Sequence, residues 1–139
     1  MAQRELAHQV GALGDNIGLW VEDIGRVVLP GYLERHLGVK LRGQLGEELG
    51  RRFLSGPTGE IELNLYGEGE QDGKPVEILG EAKNRLYRRD VERFDQRLKT
   101  LEPGRLERAL KVMFAFWIHP SAQEAARERA ILLVVSYQR

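Results

Sequence analysis

Apolar residues in the first part of the chain return at alternating steps of four and three: Leu6, Val10, Leu13, Ile17, Trp20, Ile24 and Val27. That spacing is a heptad seam, so a long amino-terminal helix with coiled-coil character is expected, packing against an identical helix in a homodimer, the favoured reading, or against a helix upstream in a longer protein. A second stripe, Leu19, Glu22, Arg26, Leu29 and Leu33, recurs at three, four, three and four on the same helix. A helix that is apolar on two sides is sandwiched, and this stripe is the one expected to face a sheet. Pro30-Gly31 predicts an interruption, with Tyr32 to Leu37 continuing at an angle until Gly38. Leu41, Leu45, Leu49 and Phe53, four residues apart, favour a further helix, with Arg51 to Leu54 as a competing first strand.

The period then changes to two. Ile61, Leu63 and Leu65 fall on one side of a predicted strand, and Glu60, Glu62 and Asn64 on the other. Asp72-Gly73 supplies the positive φ angles of a tight turn, and a second strand runs from there to Lys83, giving an antiparallel hairpin. Tyr87 to Leu101 reads as a helix that buries Val91, Phe94, Leu98 and Leu101. Val112 to Ile118 is a continuous apolar run, as in a strand covered on both faces. Ser121 is placed to cap a helix over Ala122 to Ala130, and Ile131 to Tyr137 forms a last strand. His119, at a strand end with no second histidine near it in sequence, reads as structural.

These elements predict an α/β fold with a mixed central sheet of four or five strands flanked by helices. A coiled-coil or dimerisation helix over 1–18 precedes a single domain over 19–139. At 139 residues the chain suffices for one such core. Its 42% hydrophobic and 30% charged content is that of a globular protein. No apolar run reaches the ~18 to 20 residues of a membrane span, and Arg4-Glu5 is unlike a signal peptide, so the cytoplasm is the expected location. The absence of cysteine excludes disulfides and thiolate zinc sites.

A net charge of zero argues against a nucleic-acid partner until its distribution is considered. Between Lys83 and Lys111 ten basic residues stand against five acidic ones, which makes that segment +5 and the remainder −5. Arg89, Arg93 and Arg97 recur every four residues along the predicted helix, just after Arg85, and a row of planar guanidinium groups suits phosphate. Upstream, Glu81 and Lys83 point to one side of their strand, roughly 6 to 7 Å apart. Oxygens of Glu62 and Asn64 can lie across from them. Such a convergence beside a lysine suits Mg²⁺, a hard ion that prefers oxygen ligands.

The order of these elements, with GEIELNLYGEGE, GEAKNRLYRRDVERF and HPSAQEAARERAILLV around the turn and the Glu-x-Lys tripeptide, resembles the PD-(D/E)XK nuclease superfamily. Within it, the chain resembles uncharacterised prokaryotic proteins in which a coiled coil precedes a nuclease-like domain. The resemblance implies a restriction-endonuclease-like core and metal-dependent phosphodiester hydrolysis of nucleic acid, DNA foremost, with Mg²⁺ or Mn²⁺ as cofactor. It implies Glu81, Glu62, Asn64 and Glu22 as metal ligands, Glu22 standing for the carboxylate that the first core helix supplies in many of these enzymes. Lys83 would orient a metal-bound water or offset charge on the phosphoryl oxygens. Asn64 departs from the aspartate usual at its position, and an amide is a weaker ligand. The alternative is therefore an inactive or weakly active nuclease-like domain, acting as a dimeric DNA-binding or interaction module.

Overall fold

The computed structural model describes residues 2–137, with side chains from residue 20 onward. Helix α1 (Ala2–Leu37) is followed by β1 (Val39–Leu41), β2 (Gly50–Gly56), β3 (Gly59–Gln71) and β4 (Lys74–Leu86). Next come α2 (Arg88–Leu98), α3 (Pro103–Glu107), β5 (Ala109–Ile118), α4 (Pro120–Glu128) and β6 (Leu132–Val135). The strands form one mixed sheet in the order β1-β3-β4-β5-β6, and β2 pairs with β3 alongside β1. Six strands are present among the described residues, one or two more than the sequence pattern predicts.

Helix α1 runs through Pro30 without a break. Proline in a helix interior costs about 3 kcal/mol, but Leu29 and Leu33, on either side of it, are fully buried against the sheet and hold the helix in line. Termination falls to Gly38, whose φ of 66° is the left-handed conformation of a helix end, and whose N–H donates to Glu34 O. The Leu6 to Ile17 part of the heptad seam lies outside the described side chains. Of the rest, Trp20 and Val27 are exposed at 59% and 72% and Ile24 is half-buried against the core of its own domain, whereas the second stripe is buried at Glu22, Leu29 and Leu33.

The helix favoured by Leu41, Leu45, Leu49 and Phe53 does not form. The segment is two short strands joined by a loop, with Leu45 and Phe53 exposed and Leu49 buried. Both strands are recruited by the open edge of β3: β1 pairs at residues 69–71 and β2 at 59–66. The β1 bonds are long-range, whereas β2 turns into β3 through Pro57-Thr58, with Gly56↔Gly59 the first pair; a four-residue spacing inside the segment reveals neither partner.

The β3–β4 hairpin turns at Asp72 and Gly73, both with positive φ. Strand β3 is not a regular alternation. Gly50 pairs with Tyr66 but Arg52 with Leu63, so β3 carries an extra residue there, a bulge. The facing reverses across it: Ile61, Leu63 and Tyr66 pack in the core beneath α2 and α4, while Leu65 packs in the core beneath α1. The expected common face of Ile61, Leu63 and Leu65 therefore breaks after Leu63. Strands β4, β5 and β6 run parallel, with α2–α3 and α4 as crossovers. Phe94, Leu98 and Met113 centre one core, and Leu29, Leu33 and Phe114 the other.

Candidate functional site

The two central strands separate partway along. Ladder pairing between β3 and β4 extends from Gln71↔Lys74 to Leu65↔Gly80 and stops there. Beyond it, β3 stays with β2, and β4 continues along β5 as far as Leu86↔Ile118. All the residues singled out for metal chemistry on these strands lie at or beyond this split.

Asn64 spans the gap. Its Oδ1 accepts from Ala82 N at 2.7 Å, and its Nδ2 donates to Ala82 O at 3.4 Å and to Glu22 Oε1 at 3.1 Å. The amide thus takes the place of a peptide group in the interrupted ladder. An aspartate has no donor for Ala82 O or Glu22, which is a physical reason for asparagine here.

Glu22 is the hub on the α1 side. Buried at 7% exposure, it accepts from Arg51 at 2.8 and 3.0 Å, from Arg26 at 3.4 Å and from Asn64. Arg51 also donates to the Glu62 carboxylate at 3.2 Å. Glu22, Asn64 and Glu62 are thereby joined in one network. Glu81 is not part of it: its side chain turns to α2, where Arg97 donates to Oε1 at 2.8 Å and also to the carbonyl of Glu62. Lys83 lies 3.5 Å from Asp90 Oδ1, and the other oxygen of Asp90 accepts from Tyr87 N at 2.8 Å, bracing the first turn of α2.

The donor set implied for Mg²⁺ does not fit a divalent ion as arranged. Glu22 and Glu62 share the Arg51 guanidinium, Glu81 holds Arg97, and both polar atoms of the Asn64 side chain are committed to neighbours. Among the described residues no group of three or more acidic or histidine side chains is placed to hold a metal. Each carboxylate already has a cation, an arginine.

Glu22 and Lys83 nevertheless line one cleft of about 410 Å³, together with Ala82, Arg85, Tyr87, Arg89 and Asp90. It opens between α1 and the junction of β4 with α2. Here the charges are unequal in their partners. Glu22 and Asp90 are neutralised locally, but Arg85 and Arg89 are exposed and form no ion pair among the described residues, nor does Arg93 one turn further along α2. The arginine row expected on α2 is therefore shorter than its spacing implies, because Arg97 is spent on Glu81 and Glu62.

Sequence reasoning missed Arg51, Asp90 and Tyr87. Asp90 had a signal: an acid three residues after Tyr87, in the first turn of a helix, is a capping position. Arg51 had none, because its role depends on β2 docking beside β3. His119 caps α4, with Nδ1 accepting from Ser121 N at 3.1 Å, in the role expected of Ser121.

No family model matches the sequence, and no curated protein does. A solved structure described as a protein of unknown function, AF1548, superposes with a TM-score of 0.55 at 18% identity, over 85% of this chain. The match spans 60% of the length of that chain. This likeness bears on fold alone and agrees with a mixed α/β architecture. No helix among the described residues is long and apolar enough to cross a membrane.

Proposed function

We propose that this chain is a nuclease-like α/β module that grips the phosphate backbone of nucleic acid, DNA foremost, without cutting it, and that it works as a homodimer joined through α1. One observation carries the reading. At the cleft by the β4–α2 junction the carboxylates are matched by cations, while Arg85, Arg89 and neighbouring Arg93 remain exposed and without acidic partners among the described residues. An anion is what such a surface lacks, and guanidinium groups bind phosphate oxygens in pairs. Neutral Asn64, held as a ladder substitute, and Arg51 between Glu22 and Glu62 both favour binding over hydrolysis.

Metal-dependent hydrolysis is the second reading, favoured by the shared cleft of Glu22 and Lys83. It requires Arg51 and Arg97 to release their carboxylates. The test is direct: purified protein is titrated into labelled DNA across a salt series and, separately, incubated with supercoiled plasmid and Mg²⁺ or Mn²⁺. Retention that weakens with salt, with a slope reduced by about one for each of Arg89→Ala and Arg93→Ala, supports the binding module. Nicking that disappears in Lys83→Ala supports the nuclease. Absence of both overturns the nucleic-acid reading.

A further inference from the structure

At the carboxyl ends of β4 and β5, beside the same cleft, three rings are gathered. The Tyr87 and His119 ring centroids are 5.6 Å apart with planes 29° from parallel, and Trp117 lies 5.6 Å from Tyr87 and 5.8 Å from His119, inclined to both. We infer that this cluster is a stacking platform for unpaired nucleobases, so that the module selects single-stranded nucleic acid over duplex. The inference rests on the backbone-binding reading and supplies its substrate class.

Its first support is position. Strands β4 and β5 are parallel and end together at the Leu86↔Ile118 pair, each leading at once into a helix. Ligands of open α/β sheets bind outside such carboxyl ends, where the strands stop and the chain opens.

Exposure is the second support. Val112, Met113, Phe114 and Ala115 of β5 are fully buried, yet Trp117 on the same strand is 44% exposed. A large ring left in water at the end of a core strand is available to a partner. A flat base covers it better than an aliphatic side chain would, because two π faces meet at van der Waals distance.

The third support is the arrangement of charge around the rings. Arg85 is the register partner of Trp117 across the β4–β5 ladder, and the Arg89 guanidinium sits over the Tyr87 ring at 5.0 Å. Neighbouring strands lie about 4.8 Å apart, so a cation and a ring stand within the span of one nucleotide. One can take the phosphate while the other takes the base. Bases inside a duplex are already stacked and present only their edges in the grooves, so a face-on platform reads strands whose bases are free.

The experiment compares three labelled probes with matched phosphate counts by fluorescence anisotropy, using the full chain: a short oligothymidine, an abasic oligomer of the same length and a duplex. The oligothymidine is expected to bind at least about fivefold tighter than the abasic oligomer, and tighter than the duplex. Trp117→Ala should reduce oligothymidine binding to the abasic level and leave abasic binding unchanged, while Trp117→Phe retains a preference for bases. Equal affinity for oligothymidine and abasic oligomer in the unaltered protein, or a duplex bound at least as tightly as the single strand, overturns the platform and leaves backbone binding standing. No binding of any probe overturns both. The comparison among probes needs no variant, so it holds even where Trp117→Ala fails to fold.

Discussion

Arg97 Nη1 lies 2.8 Å from Glu81 Oε1, and the same guanidinium also donates to the carbonyl of Glu62. One side chain from α2 thus ties β4 to β3 beyond the point where their ladder has ended. The Glu81 side chain is 15% exposed, so without Arg97 it would be a nearly buried carboxylate with no counter-charge. Arg97→Ala is expected to destabilise the fold by about 1–3 kcal/mol, a partly exposed arginine giving less than a fully buried pair. Arg97→Ala combined with Glu81→Gln should cost less than Arg97→Ala alone. Urea unfolding of the two variants checks the order; equal losses would mean that the ion pair contributes nothing.

Asn64 and Arg51 together hold the carboxylates in their present pairs: Asn64 donates to Glu22, and Arg51 bridges Glu22 and Glu62. Asn64→Asp removes the donor to Glu22 Oε1 and sets a second carboxylate 3.1 Å from the first. We expect a loss of about 1–3 kcal/mol. Adding Arg51→Ala removes the cation that Glu22 and Glu62 share, leaves Glu22 with only the longer 3.4 Å contact to Arg26, and lets the three carboxylates share a divalent ion. Thermal unfolding with and without Mn²⁺ should show stabilisation of the double variant and none of the unaltered protein, by mass action. Equal response of both proteins would refute this account of the site.

A second polar network is expected to make stability depend on pH in both acid and alkali. Arg105 binds both oxygens of Glu77, at 2.8 and 2.7 Å, and holds its carboxyl below the ordinary 4.5; burial opposes this, and the bond from Tyr66 adds to it. A depressed carboxyl pKa gives stability that is present above about pH 4.5 and is lost as pH falls through the folded value. Tyr66 is shifted upward from 10.0, first by burial and then by its bonds to Glu77 and Glu68. Its contribution is present below pH 10.0 and is lost as pH rises beyond it. Tyr66→Phe should cost about 0.5–1.5 kcal/mol near neutrality and flatten the alkaline limb. Glu77→Gln should flatten the acid limb. Unfolding free energies measured across pH decide both.

Trp20 and Val27 stand seven residues apart on α1, both in water, on the seam that the heptad spacing defines. If α1 pairs with a second copy, Val27→Glu places a charge in the seam and should shift the protein from dimer to monomer in sedimentation velocity, with little change in the unfolding transition of the domain. A monomeric unaltered protein would rule out pairing through α1.

Local pattern was sufficient wherever one element meets one neighbour. The buried stripe of α1, the β3–β4 hairpin with its Asp72-Gly73 turn, the core strand β5 and the helix after β4 follow from periods of 3.6 and 2 and from turn chemistry, which are properties of adjacent residues. The sequence also marked Glu22, Asn64, Glu81 and Lys83 as residues out of keeping with a plain core.

What these groups do was decided by distant partners. Arg51 reaches Glu22 only because β2 docks on the edge of β3, and Arg97 reaches Glu81 only because α2 folds back over β4. The bulge in β3 reverses its facing, so strict alternation assigns Leu65 to the wrong core. Trp117, apolar and inside an apolar run, reads as core until β5 is seen to run past the end of β6 and finish beside Tyr87 and His119. Periodicity records which side of an element a residue faces; hydrogen bonds and ion pairs between elements far apart in the chain depend on where that side comes to rest, and tertiary packing sets that.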